Sequence, residues 1–211
     1  MTKRPIWMIS AVLYILAVLG ANLTATLFLP FEIAPGSGVL VSVGTLVFGI
    51  TFTQRDRMHA MGRPFVYRII LLSAVLNLLM LTSLRYVWGA PVLALLEARG
   101  WEWLSGGTEV LMENGWQVFL ASFLAIVVAE AADTEIFHHY RDKAWIFRVT
   151  RSNAVSVPVD SVLFNLIAFA GSAFFPAAVL VKVIIGEILA KFAVGLVYAL
   201  VIPKPRTRSE A

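Results

Sequence analysis

The chain has 211 residues, of which 59% are hydrophobic and 14% charged, with a formal net charge of +4. Soluble domains average about 25% charged residues, so this composition, with mean hydropathy +0.82, reads as an integral membrane protein. It excludes a separate soluble domain, and the lack of cysteine excludes disulfides, thiolate chemistry and Cys-ligated metals. A membrane span needs about 20 apolar residues, and the first candidate covers roughly 6–29. Met1-Thr2-Lys3-Arg4-Pro5 before it resembles a signal-peptide opening, yet no small-x-small cleavage site follows, so a retained span is expected. Further spans are predicted at roughly 37–54, 65–88, 116–137, 156–175 and 177–202. Pro30 and Pro35-Gly36 separate the first two, Gly62-Arg63-Pro64 precedes the third, and Phe175-Pro176 makes a tight turn between the last two. Between spans three and four, Gly89–Gly115 is polar and flanked by Trp88, Trp101, Trp103 and Trp116. Such aromatics favour the membrane–water interface, which predicts a short interfacial helix at about 91–99 and then a loop.

The expected architecture is therefore one all-α transmembrane domain over 1–211, with six spans. Basic residues fix its orientation. Lys3 and Arg4 precede span one, and Arg55, Arg57, Arg63 and Arg68 surround the 2–3 loop. Arg141, Lys143, Arg148 and Arg151 occupy the 4–5 loop, and Lys204, Arg206 and Arg208 the tail. The opposite loops carry Glu32, and Glu97, Glu102, Glu109 and Glu113 against Arg99. Lys and Arg stay preferentially cytoplasmic, so both termini are expected inside. The same distribution explains the net charge without a nucleic-acid partner. Three spans per half would give oppositely oriented halves, as in inverted-repeat transporters, although no internal sequence repeat supports this.

Carboxylates within the apolar stretches carry the functional signal. An acidic residue at the bilayer centre costs about 2.5–3.5 kcal/mol on insertion scales, so it persists mostly where it faces a cavity or partner. At about 1.5 Å per residue, Asp160 lies about 13 Å from the level of Arg151, and Glu130 and Asp133 lie about 16 and 12 Å from Arg141. Spans four and five are antiparallel neighbours, which allows all three in one layer, with Phe137 continuing the Glu130–Asp133 face. Pro158, with Ser152, Asn153 and Ser156, suggests a polar, locally irregular start to the fifth helix. Lys191 is the natural counter-charge for Asp160 or Glu130, while an i, i+4 pair with Glu187 is the simpler alternative. Asn22 interrupts the first span and Asn77 the third, where helix-to-helix hydrogen bonding is the plainer role for Asn77. Arg55 and Asp56 end the second span as either an inner gate or a solvated loop.

No catalytic motif competes. Gly-x-Ser-x-Gly, His-Glu-x-x-His and a Gly-rich phosphate loop are all missing. Adjacent His138 and His139 point different ways on a helix, so no metal or cofactor is expected. Asp133 with Asp160 could in principle share a proton as an aspartyl pair, and an intramembrane enzyme or a scaffold remain the alternatives from other classes.

Ala121-Ser122-Phe123, Glu130-x-x-Asp133, Ile136-Phe137, Trp145, Arg148, Ser152-Asn153, Asp160-Ser161-x-x-Phe164 and Ala168-Phe169 together resemble the vitamin-uptake/queuosine precursor transporter family. Asn22, Gly44-Thr45-x(9)-Gln54-Arg55-Asp56 and Lys191 are similar to it as well. The resemblance covers most of the chain and is strongest over 119–170. It implies a six-span protein of the bacterial inner membrane that imports a queuosine precursor, a 7-deazaguanine such as preQ0 or preQ1, or queuine. Another nucleobase-like or vitamin solute is the alternative within the class. The purine-like solute would be bound among Asn22, Arg55, Asp56, Asn77, Glu130, Asp133, Phe137, Asn153, Asp160 and Lys191. Its amine and ring N–H groups would donate to the carboxylates, Phe137 or Trp145 would stack on its plane, and Lys191 or Arg55 would donate to its carbonyl. The expected partners are that solute and the lipid bilayer, with self-association left open.

Overall fold

A computed structural model describes residues 4–31, 38–58, 61–171 and 175–201. Its element order is α1 (Arg4–Leu23), β1 (Phe28–Phe31), β2 (Val39–Ser42), α2 (Val43–Met58), α3 (Arg63–Ser83), α4 (Gly89–Ala98), α5 (Glu102–His139), α6 (Trp145–Phe169) and α7 (Ala177–Val201). The class is all-α, with one short hairpin that the sequence reading did not anticipate. Its strands pair antiparallel, from Phe28 opposite Ser42 to Phe31 opposite Val39.

The hairpin splits what had read as continuous apolar runs, 6–29 and 37–54. Thr24, Ala25 and Thr26 form a turn that ends α1 early, and Val41 and Ser42 are extended and buried before α2 begins. Buried non-helical backbone needs internal partners, and they are present. Val43 donates its N–H to Leu27 O at 2.8 Å and Gly44 donates to Thr24 O at 3.1 Å. The Ser42 hydroxyl donates to Ala25 O at 2.9 Å and accepts from the Gly44 N–H at 3.0 Å. Period alone could not reveal this hairpin, because Val39-Leu40-Val41 suits a strand and an apolar helix equally well and Pro30 reads simply as the end of a span.

Among the described residues, three helices are long and apolar enough to cross a membrane: Arg63–Ala98, Glu102–His139 and Ile146–Phe169. Shorter apolar helices are Trp7–Leu23 and Val43–Phe52. Helix α7 is 25 residues long but carries Lys182, Glu187 and Lys191 along its length. Two of those three charges turn inward to partners described below.

Several expectations need correction. The interfacial helix predicted at 91–99 is α4, and it is not separated from α3: a π-helical turn over Leu84–Trp88 joins them into one kinked run. The loop expected after it is instead the first part of α5, which is 38 residues long, or about 57 Å. Trp88, Trp101, Trp103 and Trp116 around this region are all exposed, as an interfacial band requires. Helix α6 begins at Trp145 rather than near 156, so Pro158 is inside it and not at an irregular start. The missing N–H of Pro158 still leaves the carbonyl one turn back, at Ala154, without its helical donor. The turn expected at Phe175-Pro176 borders residues outside the described set; Pro176 O accepts from Val179 and Leu180 at the start of α7.

Helices α5 and α6 pack most extensively, followed by α1 and α2. Tyr14 and Val18 of α1, Met58 of α2, Val66 and Ile70 of α3, and Ile126 of α5 share one apolar cluster. At the hairpin end, Phe28 packs against Phe169 and Phe175 at ring-centre distances of 6.0 and 5.2 Å. Close backbone approach sets two glycines. A Cβ at Gly44 would lie 2.3 Å from Ala21 O, and one at Gly186 would lie 2.4 Å from Leu40 O. These glycines let α2 start against the end of α1, and let α7 lie on strand β2. Gly44→Val should therefore destabilise the protein by about 1–3 kcal/mol through overpacking, read as a lower thermal midpoint in detergent. An unchanged midpoint would contradict this packing.

Candidate functional site

Glu187 and Lys191, one turn apart on α7, face α6. Lys191 Nζ lies 2.7 Å from Asp160 Oδ2, donates to Ser161 Oγ at 2.9 Å, and reaches Glu187 Oε2 at 3.4 Å. Asn165 adds a second bond to Glu187, its Nδ2 donating to Oε2 at 2.9 Å, and also donates to Ser161 O at 2.8 Å. All five side chains are buried. The sequence left open whether Lys191 serves Asp160 or Glu187; it serves both, and the shorter contact is to Asp160.

This cluster forms one wall of a pocket. Ala21, Asn22 and Ala25 from the end of α1 line it, as do Ser42, Gly44, Thr45 and Phe48 from strand β2 and α2. Ser122 and Ile126 of α5 and Phe164 of α6 complete it. Asn22 Nδ2 donates to Ser122 Oγ at 3.1 Å, fixing α1 to α5 at its edge. Lys191 Nζ lies 5.7 Å from the centre of the Phe48 ring, within range for a cation–π contact. The enclosed space is about 40 Å³, whereas small-molecule sites usually measure about 300 Å³ or more. The pocket is thus smaller than such a site, with room for a few waters. It offers two carboxylates, one ammonium, an amide and hydroxyls, together with two phenyl rings.

Glu130 and Asp133 belong to a second ionic cluster, nearer the α5–α6 turn. Arg55 of α2 reaches across to both: Nη1 lies 2.9 Å from Glu130 Oε1 and Nη2 lies 3.0 Å from Asp133 Oδ2. Ser156 of α6 donates to Asp133 Oδ1 at 3.2 Å. The charged side chains here are 0–4% exposed. Arg suits this role because its rigid fork meets two acceptors at once. The guanidinium ties α2 to α5, and Ser156 adds α6 through Asp133.

The three carboxylates expected in one layer are therefore divided between two cations. Asp160 pairs with Lys191, and Glu130 and Asp133 pair with Arg55. That division also separates Asp133 from Asp160 as an aspartyl pair. Of the other candidates, Asn22 lines the pocket, but Asn77 is buried beside a different and smaller cavity with Phe119 and Ser122. Phe137 does not line the pocket: Arg148 covers it, with Cζ 3.8 Å from the ring centre, and Arg148 Nε donates to Phe137 O at 3.3 Å. Asn153 is buried, its Nδ2 close to Gly195 of α7. The side chains of Asp56 and Trp145 lie outside the described residues. His138 Nδ1 bonds Thr134 O within its own helix at 2.9 Å.

The sequence reading missed Ser42, Phe48 and Glu187 as pocket residues. Ser42 was hidden with the hairpin. Phe48 carried no signal that separates it from any other apolar residue of a span. Glu187 was visible as an intramembrane charge, but its i, i+4 spacing to Lys191 made a purely intrahelical pair sufficient.

A family model described as "Putative vitamin uptake transporter" matches residues 42–203. The chain belongs to that family. The matched stretch of this vitamin uptake transporter family member starts at the last residue of β2 and contains both ionic clusters, whereas Asn22 and the rest of α1 precede it. No curated protein and no solved structure matches the chain.

Removing one partner of a buried ion pair leaves uncompensated charge and costs about 3–5 kcal/mol. Arg55→Met should lower stability by that amount, because it strands two carboxylates. Combining it with Glu130→Gln and Asp133→Asn should recover a large part. Detergent unfolding checks this, and a triple variant no more stable than Arg55→Met would contradict the account.

Proposed function

We propose that this protein is a six-span importer of a purine-like solute, a 7-deazaguanine precursor of queuosine, across the bacterial inner membrane. The supporting observation is the pocket bounded by Asp160, Glu187, Lys191 and Asn22 together with Phe48 and Phe164. A 7-deazaguanine has an exocyclic amine and ring N–H groups suited to Asp160 and Glu187. Its carbonyl oxygen suits the Lys191 ammonium or the Asn22 amide. Its flat ring suits stacking on Phe48 or Phe164. Arg55 and Phe137, which the family resemblance suggested as contacts, are engaged elsewhere and take no part in this reading.

The six crossings are α1, α2 with its hairpin, α3, α5, α6 and α7. Sixteen residues of α2 span about 24 Å at 1.5 Å each, short of a hydrocarbon core of about 30 Å; strand β2 supplies the remainder. Helix α7 needs no apolar face at Glu187 and Lys191, because those charges pair inside the bundle. Basic residues gather beside the α2–α3 and α5–α6 connections and at both termini, which favours these on the cytoplasmic side. In this reading the hairpin is the outer barrier and the Arg55 cluster the inner one.

The family description favours a second reading, with a vitamin as the solute in the same pocket. One assay separates the two. Expression in a queuosine-salvage-dependent strain lacking its own transporter should restore queuosine in tRNA at limiting external precursor. Asp160→Asn and Lys191→Met should abolish this while still inserting. No restoration by the wild-type protein would overturn the queuosine reading, and restoration by both variants would overturn the site.

A further inference from the structure

The inner cluster has an unbalanced composition that substrate binding does not use. One guanidinium faces two carboxylates, so the group carries one negative charge more than positive when all three are ionised. Asp133 accepts a hydrogen bond at Oδ1 from the Ser156 hydroxyl, and its Oδ2, though without a hydrogen bond, lies 3.0 Å from Arg55 Nη2 as an ion pair. Glu130 uses only Oε1; its Oε2 is buried and has no hydrogen-bond partner among the described residues. The Tyr14 hydroxyl on α1 is likewise buried and unpartnered there, and Tyr14 lies within electrostatic range of Glu130, Arg55 and Asp160. A buried carboxylate oxygen with no donor is strongly unfavourable when charged. A proton, a donor such as a bound water, or a metal cation would relieve it. The adjacent guanidinium and the single vacant carboxylate oxygen disfavour a metal ion, which takes several oxygen ligands.

We infer that Glu130 is a proton-binding site, distinct from the solute pocket, and that its proton couples to movement of α2 against α5. The chemistry stands on the geometry above; its coupling role rests on the transport reading. The proton comes from water at the outer side and forms an O–H bond at Glu130 Oε2. It leaves to water at the inner side when that bond breaks. While it is bound, Arg55 faces one neutral and one charged acid, so the bridge from α2 to α5 is weaker. The charged groups facing Glu130 are Arg55 on α2, Asp133 on its own helix, and Asp160 on α6 with Lys191 of α7 behind it. Tyr14 is the facing titratable group on α1. The cluster of Asp160, Glu187 and Lys191 carries the same excess of one negative charge. None of its carboxylate oxygens, however, is both buried and without a hydrogen-bond partner among the described residues, as Glu130 Oε2 is.

Infrared difference spectra of the purified protein in bilayers, between alkaline and acidic buffer, test the site without any solute. The expected result is a protonated-carboxyl band that shifts on carbon-13 labelling of glutamate but not aspartate. It should be lost in Glu130→Gln and retained in Glu135→Gln. No such band, a band that follows the aspartate label, or one that survives in Glu130→Gln overturns the proposal. The isotope arm uses the wild-type protein, so a misfolded variant does not decide the outcome. Coupling is tested in proteoliposomes with radiolabelled preQ1 as probe. A gradient of one pH unit, acid outside, should support up to about tenfold accumulation for one proton per solute, and a protonophore should abolish it. Accumulation driven by a sodium gradient at equal pH overturns proton coupling. If preQ1 does not enter at all, the solute assignment fails, and the spectra still decide the proton site.

Discussion

Buried charge is the constraint on which the rest of this structure depends. Two cations, Arg55 and Lys191, each hold a pair of carboxylates in the interior of a helix bundle. Such groups are expensive to take out of water, and they are retained only when their partners are at hand in good geometry. That requirement dictates which helices are neighbours. Arg55 brings α2 to α5, Ser156 brings α6 to the same point, and Lys191 binds α7 to α6. The hydrophobic effect cannot choose among these arrangements, since lipid is as apolar as the helix surfaces. Polar contacts and close-packed small residues choose instead.

The hairpin follows from the same logic. Extended backbone within a bundle is acceptable only when every N–H and C=O finds an acceptor or donor, and the Ser42 hydroxyl is spent on this purpose. Gly44 and Gly186 then allow the helices to close around it. The result is a pocket bounded by the extended backbone at Ser42 and by the Lys191 ion pairs. The hairpin end is held by aromatic contacts among Phe28, Phe169 and Phe175, which do not depend on charge.

Much of this was legible in the sequence, for physical reasons that can be named. The membrane class follows from composition, and Glu130, Asp133, Asp160 and Lys191 announce themselves because charge in an apolar stretch needs a reason. Their partition into two clusters was not legible. Glu130 and Asp133 lie at a suitable depth to meet Asp160, and depth along a helix says nothing about which way a face is rotated. Arg55 sits at the end of a span, where a solvated loop was an equal alternative; only the packing of α2 on α5 turns it inward. The hairpin was hidden because Val39-Leu40-Val41 suits a strand and a span equally well. Phe137 seemed a stacking residue until Arg148, eleven positions on, covered it.

The central claim is that the solute enters the pocket walled by the Lys191 cluster. The chain has no cysteine, so a single Thr45→Cys substitution provides a unique thiol on the pocket wall. Its rate of modification by a small water-soluble thiol reagent, measured in bilayers with and without preQ1, tests the claim directly. Modification that slows in proportion to preQ1 occupancy, and does not slow with an unrelated solute, is the predicted result. A thiol modified at the same rate at every preQ1 concentration, while preQ1 is being transported, would contradict it.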